Sequence, residues 1–114
     1  MSKMGTRADR IERGMTLFDD KMPGWIDKID LDRLDQADGE ACVVGQTHRE
    51  EGSRYGRYWA GLEALGLADH LFTASTTAST VAAAYGFETR DGRESYDALT
   101  RAWRAAIKRR QAAS

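Results

Sequence analysis

Apolar side chains recur along this chain at steps of three and four. Near the C-terminal end Tyr96, Leu99, Trp103 and Ile107 follow one another at intervals of three, four and four. Near the N-terminal end Ile11, Met15, Phe18 and Met22 do so at four, three and four. Residues spaced this way share one face of an α-helix, whereas a strand turns to its other face at every residue. No Asn-Gly-type turn joins two alternating apolar runs, and Asp91-Gly92 is flanked by charge. The pattern predicts an all-α fold, a compact small helical bundle of three main helices plus two or three short ones.

The first helix is expected over Ala8 to Lys21, with Asp9, Glu12, Arg13 and Asp19 on its polar side. Pro23 ends it, because a proline disfavours the α region at the residue before it and cannot continue the ladder. A second helix is expected over Arg54 to Leu65, with Tyr55, Trp59, Leu62 and Leu65 as its apolar stripe and Tyr58 beside it. Gly66 stands where a C′ residue of positive φ belongs, with Leu67 beyond it as the apolar contact. The same arrangement closes a short helix over 81–85 with Gly86 and Phe87. The last helix opens at Asp91 and Glu94, which have capping-box spacing, or at Ser95. Ala41 to Val44 is too short to decide between strand and helical turn, and Thr73 to Thr80 reads as a surface connection. The expected core is Ile11, Met15, Phe18, Trp25, Ile29, Leu34, Val43, Tyr55, Trp59, Leu62, Leu65, Phe87, Leu99, Trp103 and Ile107. The 114 residues suit a single domain, with 1–7 and 111–114 as frayed tails.

Several classes of function are disfavoured. The formal net charge of −1 argues against a broadly cationic nucleic-acid protein, though not against a local basic patch. A lone cysteine allows no intramolecular disulfide and no multi-cysteine zinc site. No apolar run approaches the about 18–20 residues that span a bilayer. The charged start, MSKMGTRADRIERG, lacks a following apolar segment of the secretory kind, so a cytoplasmic location with no membrane contact is expected. Neither phosphate-loop pattern occurs, nor H-E-x-x-H, C-x-x-C or G-x-S-x-G.

The remaining reactive side chains each have a plainer account. Cys42 and His48 invite a thiol and its base, but Cys42 lies among Ala41, Val43 and Val44, where cysteine is usually a small buried hydrophobe. His48 and His70, with Glu50, Glu51 or Asp69, lie in separate segments without the spacing of a zinc site. Between Asp19 and Glu40 eight acidic residues face three basic ones, a net of −5. Counted from Asp27 or Asp30, this run lacks the EF-hand glycine and glutamate, and phosphate mimicry would need a shared face that a sequence does not display. A solvated face with capping aspartates accounts for it. The expectation is therefore no catalytic residue, no cofactor and no metal.

Two features face outward. From Arg101 to Arg110 the last helix carries five cations and no acid, an electrostatic footprint for phosphate, though the more usual account is a solvated face suited to the helix dipole. Ala82 to Phe87 has the A-x-x-x-G-apolar cadence of helix-turn-helix corners, though Glu88 to Glu94 is longer than such a turn.

A further set of short stretches runs through the chain: Pro23-Gly24-Trp25 leading to Ile29-Asp30-Leu31, Leu34-Asp35, Cys42-Val43-Val44-Gly45-Gln46, Tyr58, Gly61, Leu65-Gly66, Ala84-Tyr85-Gly86-Phe87, Tyr96, Leu99-Thr100 and Ala102-Trp103. In these the chain resembles small proteins of actinobacteria and their bacteriophages that have no settled activity. The resemblance implies a role directed at a host or at replication, and brings no catalytic residues with it. Together these readings favour a protein-binding, regulatory module of phage or mobile-element type, acting on a host or viral protein. Tyr55, Tyr58, Trp59, Arg101, Arg104, Lys108 and Arg109 are its candidate contacts, since aromatics and arginines anchor interfaces. The alternative is a nucleic-acid-binding accessory protein using the basic terminal helix in a helix-turn-helix-like arrangement.

Overall fold

Thr6 accepts a hydrogen bond from the Asp9 amide while the Asp9 carboxylate accepts one from the Thr6 amide, and this reciprocal cap starts the first helix, α1 (Arg7–Lys21). A computed structural model of the chain describes residues 5–48, 57–67, 81–90 and 94–113. After α1 and the Pro23 turn comes one 3-10 turn (Trp25–Lys28), then an irregular acidic loop. The other helices are α2 (Val43–Thr47), α3 (Arg57–Ala64), the single turn α4 (81–84) and α5 (Tyr96–Ala113). Every regular element among the described residues is helical, and the Cα radius of gyration is 13.2 Å.

Two of these helices are long, 15 residues in α1 and 18 in α5, where three main helices were expected. The expected second helix is the shorter α3, which ends where Gly66 takes a φ of +81°. The Gly66 amide donates to the Glu63 carbonyl and the Leu67 amide to that of Leu62, which closes the helix with Leu67 buried. Gly86 and Phe87 end α4 in the same way, on the carbonyls of Ala83 and Ala82. Residues 54–56 of the expected second helix, and the Thr73 to Thr80 connection, lie outside the described residues.

The core is centred on four aromatic rings. Phe18 stacks on Trp25 at 4.8 Å between centroids, Phe87 stacks on Trp103 at 6.1 Å, and Phe18 meets Phe87 edge-on at 5.5 Å. Each indole has a polar partner: Trp103 Nε1 donates to the Gly86 carbonyl at 2.6 Å and Trp25 Nε1 to Asp19 at 2.9 Å. Burial therefore strands neither N–H. Every expected core residue is buried except Tyr55 and Trp59, whose side chains lie outside the described residues.

Charge sets how α1 and α5 lie together. Glu94, just before α5, accepts from Arg7 at 2.6 Å and from the buried Arg10. At the other end Arg110 of α5 pairs with Asp19 of α1 at 3.1 Å. The N-terminal ends thus meet at one point and the C-terminal ends at another, so the two helices run parallel. Glu94 was expected to cap its own helix. Ser95 does so instead, accepting from the Ala98 amide, and the Glu94 carboxylate faces α1.

Gly14 of α1 sits where a Cβ would fall 2.2 Å from the Tyr85 carbonyl oxygen and 3.1 Å from the Trp103 ring. Gly14→Ala should gain about 1 kcal/mol in helix propensity and lose about 1–3 kcal/mol to overpacking against backbone that cannot yield. Urea unfolding should show a net loss of stability. For Glu94, burial pushes the carboxyl up, but hydrogen bonds from Arg10 and Arg7 outweigh this and hold it below its ordinary value of 4.5. A lowered folded value adds stability that is present above the unfolded value and is lost as pH falls through the folded one. Denaturant midpoints should therefore fall below about pH 4.5, less steeply in Glu94→Gln than in the wild type.

Candidate interaction surface

The acidic loop between the 3-10 turn and α2 has no regular ladder, and side chains serve as its backbone partners. Asp30, Asp35 and Asp38 each accept from the amide two residues on, at 3.1, 3.0 and 2.9 Å. These are Asx turns, in which a carboxylate stands in for a backbone acceptor. Buried Gln46 spans the loop, accepting from the Asp30 amide at 2.6 Å and donating to the carbonyls of Asp30 and Ala41. The side-chain oxygen of buried Gln36 accepts from the Val43 amide, and the Gln36 backbone N–H donates to Thr100 Oγ1 of α5. The capping reading of these aspartates therefore holds at Asp30, Asp35 and Asp38.

α5 brings its cations to this loop unequally. Arg104 is half-buried and donates to the carbonyls of Leu31 and Leu34 at 3.2–3.3 Å, so its guanidinium fastens the loop to the helix. Arg101, Lys108 and Arg109 are exposed, and no ion pair reaches them among the described residues. Arg101 lies beside a groove of about 510 Å3 shared with Asp32, Arg33, Asp35, Asp97 and Arg104. Arg101, Arg104 and Lys108 lie on one side of α5, with Arg101 and Lys108 exposed and Arg104 drawn inward to the loop.

The expected aromatic contacts lie elsewhere. Tyr58 of α3 is half-buried, and its hydroxyl donates to Glu88 at 2.6 Å. Burial, and then the Glu88 carboxylate, push this phenol well above the usual tyrosine range. Trp59 is on α3 with its side chain outside the described residues, and Tyr55 lies outside them altogether.

The stretch left open between strand and helix is α2, and its cysteine is structural. Cys42 Sγ accepts from the Gly45 amide at 3.3 Å as the N-cap. Burial pushes its thiol up to about 11, far from the lowered value that a nucleophilic cysteine needs. His48 ends the same helix. Its Nδ1 is 2.8 Å from Thr47 Oγ1 and 3.0 Å from the Val44 carbonyl, which holds the ring within the turn. Cys42 and His48 thus bracket α2 from opposite ends. His70 and the Glu50, Glu51 and Asp69 carboxylates lie outside the described residues. Among the described residues no three His, Cys, Asp or Glu side chains cluster as metal ligands do, and no helix is long and apolar enough to cross a membrane.

The helix-turn-helix cadence at 82–87 marks the end of α4, a single turn. α5 begins at 96, far beyond the about 3–4-residue turn of that motif. Sequence reasoning missed the parts played by Arg10, Gln36, Gln46 and Arg104. Comparison with protein-family models, with curated proteins and with solved structures finds no match to this chain.

The burial of Cys42 can be tested directly. In the folded protein at neutral pH, thiol-specific reagents should modify it far more slowly than free cysteine. Full reactivity should return in denaturant, as read by mass spectrometry over time.

Proposed function

We propose that the protein is a non-catalytic protein-binding module, of phage or mobile-element type, that acts by occupying a surface on a host or viral protein. The phage and host elements of this reading rest on the resemblance described above. The observation that supports the binding role is the groove beside Arg101, where both signs of charge meet: Asp32, Asp35 and Asp97 stand with Arg33, Arg101 and Arg104. An alternation of charge offers complementary pairs to a folded protein and gives it orientation. A phosphate backbone would meet the three carboxylates as repulsion.

The supporting residues also divide by task. Arg104 is committed to the loop carbonyls, so Arg101 and Arg33 are the cations with exposed side chains at this groove. The nucleic-acid alternative draws on Lys108 and Arg109, which lie beyond the groove on the same helix.

The test is affinity capture from host lysate at several salt concentrations, with the wild type and Arg101→Glu side by side. A specific partner should be retained by the wild type and bound about tenfold more weakly, or worse, by the variant. Equal capture by both proteins, or nothing above background, would defeat the reading. Binding to bare DNA or RNA whose logarithm falls linearly with log salt would favour the alternative instead.

A further inference from the structure

On another side of the molecule α1 borders a second groove, of about 810 Å3. Tyr85 and Leu17, both half-buried, form its apolar floor. Tyr85 is a fixed platform, because its ring stacks on the buried Phe87 at 6.2 Å between centroids. Arg13 of α1 donates to the Ala84 carbonyl at 2.7 Å and ties the helix to the corner that carries Tyr85. The two walls of the groove are therefore held together.

The rim is acidic. Asp9 and Asp20 stand exposed on one line of α1, eleven residues or about 16 Å apart, and the exposed Glu12 lies between them in sequence. Asp9 accepts from the Thr6 amide in the cap, and Asp20 lies 3.9 Å from Lys21 in an exposed pair of little strength. Glu12 also borders the smaller groove where Ala105 and Arg109 of α5 come up beside α1, but no ion pair reaches it among the described residues. The cation on this side, Arg13, turns its guanidinium to the Ala84 carbonyl. A firm aromatic and aliphatic floor thus lies under carboxylates.

We infer that this groove docks a basic amphipathic helix of a partner protein. The apolar face of such a helix covers Leu17, a lysine or arginine lies over the Tyr85 ring, and further cations meet Asp9, Glu12 and Asp20. A nucleic acid or an anionic lipid surface would bring like charge to the same rim. The inference goes beyond the partner-binding reading at the Arg101 groove: it uses other residues, and its test needs no lysate.

Two labelled synthetic peptides of about 18 residues test it by fluorescence anisotropy against the purified full chain. One places leucines at helical spacing with arginines along both flanks, and the other has the same composition in scrambled order, without the stripe. At low salt the first should bind about tenfold more tightly than the second. Glu12→Lys with Asp20→Lys should remove that margin. Asp27→Lys with Glu40→Lys makes the same change of charge at exposed positions outside the groove and should leave the margin intact. Leu17→Glu separates docking from attraction alone, because an added carboxylate strengthens plain attraction to a basic peptide but spoils the apolar floor. This variant should bind the first peptide more weakly than the wild type does. Circular dichroism should show unchanged helix in all three variants. Equal binding of the two peptides overturns the inference. So does an equal loss in the two lysine double variants, or tighter binding by Leu17→Glu.

Discussion

The placement of Trp103 governs the rest of the fold. Its ring lies against Phe87 on one side and meets Phe18 and Trp25 edge-on, while its N–H reaches the Gly86 carbonyl. One side chain of α5 thereby joins α1, the 3-10 turn and the α4 corner. The arrangement needs α1 to come within backbone contact of Tyr85, which Gly14 permits because it carries no Cβ. Large rings contribute much buried area per residue ordered, and this matters in a chain whose regular helices are few.

Around that centre, polar side chains do work that regular structure does elsewhere. Gln36 and Gln46 hold the acidic loop from inside, the aspartates hold it from outside, and Arg104 ties it to α5. Arg10 enters the core, donating to the carbonyls of Ala83 and Glu88 and to the Glu94 carboxylate. A buried ion pair contributes less to net stability than to geometry, because desolvation consumes most of its attraction. Here the geometry is specific: one carboxylate sits by the N-terminal ends of two parallel helices, where the dipoles of both favour negative charge.

The helical stripes, the proline stop and the glycine closures at Gly66 and Gly86 were legible in the sequence because each depends on residues within a few positions of one another. So was the core, since apolar periodicity reports burial directly. Other features had no local signal. Gln46 reads as an ordinary polar residue until the loop is wrapped around it. Arg101 and Arg104 are indistinguishable as letters, and only the position of the Leu31 and Leu34 carbonyls separates a fastening side chain from an exposed one. Glu94 has a capping-box spacing that the fold overrides, because Arg7 and Arg10 offer a charged partner and Ser95 serves as cap. Four apolar letters, Ala41 to Val44, left strand and helix undecided, and the thiol cap on Gly45 goes with the helical outcome.

The parallel alliance of α1 with α5 also has a temporal meaning. During synthesis α1 is made before α5, and its apolar face lacks the cover of Leu99, Trp103 and Ile107 until these have been added. Until then the nascent chain carries Ile11, Met15 and Phe18 without that cover. Exposed greasy segments of that kind invite chaperones or aggregation. Packing of this core therefore waits until α5 has left the exit tunnel.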